Sequence, residues 1–214
     1  MFDYLLTFKL IFWDFDGVVK DSVDVKTQAF VNLFESYGAR VANQVKFHHE
    51  SNGGMSRFEK LPLYLRWAGE FVTRDKIRDY CDRFARMVLQ AVIDAPWVPG
   101  VREYLLAYHD RQRFVLLTAT PQEEIQQILQ ALGIAHYFLE VHGAPSPKAT
   151  AIRDVLQRLQ YQPEDALMVG DSETDLNAAE ANQVAFLLRR TPLNQYLQNR
   201  FHGLSFDHLN IQVY

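Results

Sequence analysis

Residues 9–13, 113–118, 166–170 and 184–188 are short apolar runs rich in β-branched and aromatic side chains, each broken by polar or turn residues. Runs of that length and make-up read as buried strands. Helical patterns follow at 122–132, 148–159 and 174–181, and residues 137–141 make a weaker further strand. Strands that alternate with helices specify a parallel sheet, because parallel neighbours need a crossover and a helix supplies it. The expected fold is doubly wound α/β, a parallel sheet with helices on both faces.

The stretch from 20 to 94, between the first strand and the second, reads almost wholly as helix and is far longer than an ordinary connection. It is expected to be an inserted unit with helices at 23–37, 56–67 and 73–93, and with residues 48–54 as a loop carrying His48, His49 and the pair Gly53-Gly54. Residues 95–100, with two prolines, read as a stiff return linker. The division is therefore 1–20 with 96–214 as the α/β core and 21–95 as a helical cap.

With 22 basic and 26 acidic side chains, a formal charge of −4 and no basic block, the chain lacks the electrostatic footprint of a nucleic-acid or anionic-membrane binder. A small-molecule partner is expected. Cys81 is the lone cysteine, which excludes an internal disulfide and a cysteine metal cluster and suits a reducing cytoplasm. Residues 1–13 are apolar but carry Asp3 and Lys9, and read as the approach to a core strand rather than as a leader.

Open α/β sheets bind ligands at the carboxyl ends of their strands, so acidic residues there draw attention. Asp14 and Asp16 stand at the end of the first strand, two apart and thus on one side of an extended chain, and Gly17 lets the backbone turn away. Asp171 and Asp175 follow the strand 166–170, with Glu173 between them. Carboxylates gathered at two strand ends call for a cation, and magnesium suits hard oxygen ligands completed by water and phosphate. The same residues also read as helix-capping groups, Asp171 and Ser172 at the cap and Asp175 in the first turn. Thr118 ends another strand before a helix whose free amides favour an anion, and its hydroxyl could hold a phosphate oxygen; taken in isolation, Thr118 or Thr120 reads first as a helix cap. Lys148 opens a helix against the helix dipole, which fits either a local anion or a solvated charge.

Taken in order, these elements resemble the haloacid dehalogenase superfamily. Asp14-Phe15-Asp16-Gly17-Val18-Val19 is similar to the family's nucleophile motif, and Gly170-Asp171-Ser172-Glu173-Thr174-Asp175 to its metal motif. Thr118 matches the strand-end serine or threonine and Lys148 the basic residue, although Ala119 replaces a frequent asparagine and Lys148 follows Pro145 and Pro147 where many relatives have the lysine first. The resemblance implies a Rossmann-like core with a small helical cap, in which Asp14 attacks phosphorus and Asp16 works as general acid and then base. It implies Mg2+ held by Asp14, the carbonyl of Asp16, Asp171 and Asp175, with Thr118, the amide of Ala119 and Lys148 on the phosphate.

Within the cap, Gly54-Met55-Ser56-Arg57 resembles a loop of β-phosphoglucomutase-like enzymes, so Arg57 is expected either at the substrate or as a surface residue behind a Ser56 helix cap. A phosphosugar mutase is the rival reading, against which Lys26 stands where those mutases tend to carry histidine. Haloacid dehalogenases proper lack the second aspartate of the first motif, and an idle scaffold has no need of so many clustered carboxylates. The expected activity is phosphatase action on a small phosphorylated metabolite, a sugar phosphate first, with phosphoglycolate and nucleotides open, by a monomer or homodimer.

Overall fold

The computed structural model describes residues 2–209. After a short helix α1 (Phe2–Leu5), strand β1 (Leu10–Trp13) enters the interior with all four side chains fully buried. It lies in the middle of a parallel sheet with β2 (Arg113–Pro121) and β3 (Glu140–Ala144) on one side and β4 (Ala166–Gly170), β5 (Ala185–Arg189) and the two-residue β6 (Ser205–Phe206) on the other. The order β3-β2-β1-β4-β5-β6 reverses direction at β1, which makes the β1–β4 edge the topological switch point.

Strand alternation sorts the core into two layers. Ile11, Trp13, Phe114 and Leu116 face one cluster, and Leu10, Phe12, Val115 and Leu117 face the other. Helices α8 (Lys148–Leu159) and α9 (Glu173–Ala181) pack on the second face, as buried Ile152, Val155, Ala178 and Ala179 indicate. Two helices absent from the sequence reading, α6 (Val101–Tyr108) and α10 (Gln195–Arg200), complete the layers together with α7 (Gln122–Ala131). β3 begins later than expected because residues 135–137 form a single 3-10 turn.

Four helices stand between β1 and α6: α2 (Val23–Phe34), α3 (Ala39–Ser51), α4 (Arg57–Trp67) and α5 (Arg74–Asp94). Here the structure corrects the sequence reading: 48–51 belong to a helix, and His48 and His49 are not loop residues. His49 is buried between Phe30 and Lys60, and His48 bonds the Tyr64 hydroxyl at 3.0 Å. The signal was present, since Val41, Val45 and His49 recur at helical spacing and all three are buried, but a histidine in the inward position reads as polar. An aromatic group of Phe30, Phe34, Tyr64 and Phe84 fills the centre of this helical segment.

Both ends of the segment run side by side. The Asp21 amide donates to the Pro96 carbonyl at 2.8 Å and the Val98 amide to that of Val19 at 3.1 Å. Lys20 spans the pair, bonding the Ile93 carbonyl at 2.9 Å with its ammonium 4.6 Å from the Trp97 ring centre. Beneath β1, buried Gln112 donates to the carbonyls of Leu5 (2.8 Å) and Phe8 (2.7 Å) and accepts from the Tyr104 hydroxyl. Gln112→Leu strips both carbonyls of this donor in a place water does not reach. Chemical denaturation is expected to show a loss of about 2–4 kcal/mol, and a loss below 0.5 kcal/mol would show that the linkage carries no weight.

Candidate active site

β1 delivers Asp14 to the switch point. Its amide donates to the Val169 carbonyl of β4 at 2.9 Å, and its Oδ1 accepts from the Phe15 amide at 2.8 Å and lies 2.9 Å from the Lys148 ammonium. Lys148, the first residue of α8, also donates to Asp175 Oδ1 at 2.6 Å. Burial works to lower this ammonium's proton affinity, but Asp14 and Asp175 outweigh it and raise it. The lysine that opposed its helix dipole is thus explained by two carboxylates. The capping reading of Asp175 holds, because Oδ2 accepts from the amide and hydroxyl of Ser172, at 3.1 and 2.6 Å, in a reciprocal cap of α9.

Asp171 completes the group. Oxygens of Asp14, Asp171 and Asp175 all lie within 4.8 Å of one another. Loss of water, then the Asp175 carboxylate, pushes Asp14 up to about 7 against the pull of Lys148. Asp171 is raised well above the ordinary carboxylate range by desolvation and by Asp14 and Asp175. One lysine does not neutralise this cluster, and a hard divalent cation fits its donors. Gly17 makes room: its φ is +81°, and a Cβ there would stand 2.1 Å from Asp171 Oδ2.

Asp16 faces a different set. Its carboxylate accepts from Ser22 Oγ (2.7 Å), Lys26 Nζ (2.5 Å) and Thr120 Oγ1 (3.0 Å), and Lys26 also reaches Thr120 Oγ1 at 2.7 Å. Desolvation would raise Asp16, but Lys26 and the hydroxyls bring it below the usual range. Lys26, Ser22 and Thr120 therefore belong to the site, although sequence reasoning saw only a departure at Lys26 and a helix cap at Thr120. Thr118 is buried and accepts the Thr120 amide at 3.1 Å, and it lines an adjoining groove with Ala119 and Lys148.

A cavity of about 50 Å³ links these groups to the helical segment and is lined among others by Asp14, Asp16, Lys26, His49, Arg57, Lys60, Ala119, Lys148 and Asp171. Gly54 closes one wall so tightly that a Cβ would meet Thr174 Cβ at 2.5 Å. Arg57 is buried and forms a two-pronged ion pair with Glu124 in the first turn of α7, at 2.7 and 2.6 Å, while its guanidinium stacks 4.5 Å from the Phe84 ring centre. The structure therefore joins Arg57 to Glu124, a partner 67 residues away that no local pattern announced. Ser56 caps α4 as the alternative reading had it, reaching Glu59 at 2.7 Å.

The family model for haloacid dehalogenase-like hydrolases matches residues 8–182, the span from β1 through α9 that carries every carboxylate just described. The chain belongs to this family. A curated relative, phosphoglycolate phosphatase of Vibrio vulnificus, is 29% identical over 184 residues, covering 80% of this chain and 79% of its own. Phosphorylated carbohydrates phosphatase of Thermotoga maritima is 26% identical over 182 residues, with 80% of each chain covered. Among solved structures, β-phosphoglucomutase from Clostridium difficile superposes with a TM-score of 0.72 at 17% identity, covering 94% of this chain and 91% of that one, a likeness of fold. Among the described residues no helix of the hydrolase is long and apolar enough to cross a membrane.

One buried group of the hydrolase works against folding. Burial, aided by Lys26, lowers the Lys60 ammonium from 10.5 to about 7 against the opposing pull of Asp16 and Glu59. A lysine whose folded value lies below its unfolded one costs stability in full below pH 7, and the cost fades as pH rises toward 10.5. Lys60→Met is therefore expected to stabilise the protein by roughly 1–3 kcal/mol at pH 6.5. The gain should shrink at pH 9 in thermal melts; a destabilised variant at pH 6.5 would contradict the burial cost.

Proposed function

We propose that this hydrolase is a magnesium-dependent phosphatase that removes phosphate from a small phosphate monoester through an aspartyl-phosphate on Asp14. The observation that carries the reading is the meeting of Asp14, Asp171, Asp175 and Lys148 at the switch point, with Asp16 on the neighbouring wall of one cavity. Asp14, Asp171, Asp175 and the carbonyl of Asp16 would hold Mg2+, which when bound offsets the carboxylate repulsion and the charge of the transferring phosphoryl group.

Asp14 attacks phosphorus, the P–O bond to the alcohol breaks, and the leaving oxygen takes a proton from Asp16. Water then gives a proton to Asp16 and attacks the acyl phosphate, freeing Asp14 and inorganic phosphate. Lys26 keeps Asp16 ionised in the resting site, which suits the second step; an ester entering as its monoanion brings the proton that the first step needs. Lys148 orients Asp14 and faces the phosphoryl oxygens, and the amide of Ala119 with the Thr118 hydroxyl offers further donors.

Residues 21–95 act as a cap over the 1–20 and 96–214 core in this reading, excluding water and sensing the part of the substrate beyond the phosphate. A sugar phosphate and phosphoglycolate are both candidates, in keeping with the names of the relatives, and the enzyme would work in the cytoplasm as a monomer or homodimer. Hydrolysis is favoured over phosphosugar isomerisation because Arg57, which the mutase resemblance assigns to a substrate anion, already holds the Glu124 carboxylate.

Phosphate release from sugar phosphates, phosphoglycolate and nucleotides, measured with and without Mg2+ while following isomerised sugar, tests this. Magnesium-dependent release is expected; isomer formed without net phosphate would make the protein a mutase. Asp14→Asn should lower kcat by at least ~10³-fold with the fold intact by circular dichroism. Undiminished magnesium-dependent turnover in that variant would remove Asp14 as the nucleophile.

A further inference from the structure

Arg57 is part of the wall between two hollows. On one side it lines the cavity of Asp14 and Lys148, and on the other a groove of about 320 Å³ that Cys81, Leu89, Pro121 and Glu124 also line. Its fork is spent on the groove side, where Nη1 donates to Glu124 Oε2 at 2.7 Å and Nη2 to Oε1 at 2.6 Å. Both side chains are buried, and the guanidinium stands 4.5 Å from the Phe84 ring centre.

Stability alone does not account for this pair, because a buried ion pair is worth little more than apolar side chains of the same volume. Its place on the cavity wall has an electrostatic consequence. With both Glu124 oxygens on its fork, Arg57 has neither its paired donors nor a net charge to offer a ligand in the cavity. Glu124 stands in the first turn of α7, where the helix dipole favours a carboxylate.

The charge left on this wall decides what fits beyond the reacting phosphate. Lys26 is matched by Asp16 at 2.5 Å and Arg57 by Glu124 at 2.6 Å. That leaves Lys60, whose ammonium bonds the His49 imidazole and which burial brings down to about 7, so it supplies one positive charge at most. A phosphate monoester carries nearly two negative charges near neutral pH. A second phosphate group therefore meets too little counter-charge while Glu124 holds Arg57, and would find enough if it did not.

We infer that Glu124 is a specificity-determining residue which, by neutralising Arg57, closes the site to esters that carry a second phosphate group. The inference rests on the phosphatase reading and adds to it a class of ester that the enzyme turns away. Glu124 acts through Arg57 and neither takes part in bond making. The discrimination comes from withholding a counter-charge from a dianion that must leave water to enter.

The test compares kcat/KM for propane-1,3-diol monophosphate and propane-1,3-diol bisphosphate, which differ only in the second phosphate, in the magnesium-saturated enzyme. The native enzyme should favour the monoester by at least ~10-fold. Glu124→Gln keeps an oxygen for Arg57 to bond but removes the charge, and should move the ratio at least ~10-fold toward the bisphosphate, chiefly through KM. Arg57→Met combined with Glu124→Met removes both charges and should leave the ratio near its native value. A ratio unmoved by Glu124→Gln overturns the inference, as does a double variant that moves it equally, since loosened packing would then be the cause. A native enzyme that takes the bisphosphate as readily as the monoester overturns it without recourse to any variant. If no ester is hydrolysed at all, the phosphatase reading fails separately, and calorimetry with propylphosphonate and propane-1,3-diphosphonate decides the selectivity. The native protein should bind the diphosphonate no more tightly than the monophosphonate, and Glu124→Gln should bind it at least ~10-fold more tightly; the same relative affinity in both proteins refutes the role of Glu124.

Discussion

One ammonium organises the centre of this molecule. Lys148 reaches from the start of α8 to Asp14 at the end of β1 and to Asp175 in the first turn of α9, so three elements distant in sequence converge on a single charge. Carboxylates brought this close in a water-poor site repel one another, and the upward displacement of Asp14 and Asp171 is the measure of it. Lys148 offsets part of that repulsion and leaves the rest for a divalent cation. The apolar sheet beneath supplies the rigidity, since β1 is buried along its whole length and register-locked to β2 and β4.

The opposite wall of the cavity is electrostatically inverted. Carboxylates there are outnumbered by cations, and Lys60, which bonds a neutral imidazole instead of a carboxylate, is among the most deeply buried polar side chains of the described residues. Folding tolerates such a group only because packing around it is favourable, with Phe30, Tyr64 and Phe84 forming the surrounding aromatic layer. Glu124 has a separate role, since by occupying Arg57 it ties α4 to α7.

How much was readable in advance follows the range of each interaction. Asp14, Asp16, Asp171 and Asp175 were legible because strand ends and their following turns are encoded within a few residues of the chain. Lys148 was legible through resemblance, its local signal being only a lysine against a dipole. Lys26 and Thr120 were visible but misweighted, since their meaning comes from Asp16, which lies 104 residues from Thr120 in the chain. The inward position of His49 on α3 is polar and so masks the helix, and the two residues of β6 are too few to make a pattern.

The sequence by itself determined the parallel α/β sheet, the helical insertion, and the two acidic strand ends, all of which follow from periodicity and turn chemistry over short spans. Only the tertiary structure decided the partners: Lys148 with Asp14 and Asp175, Arg57 with Glu124 rather than open cavity, and Lys60 with His49. The reason is physical. A side chain's charge is written in the sequence, but its counter-charge and its loss of water depend on which distant elements fold against it.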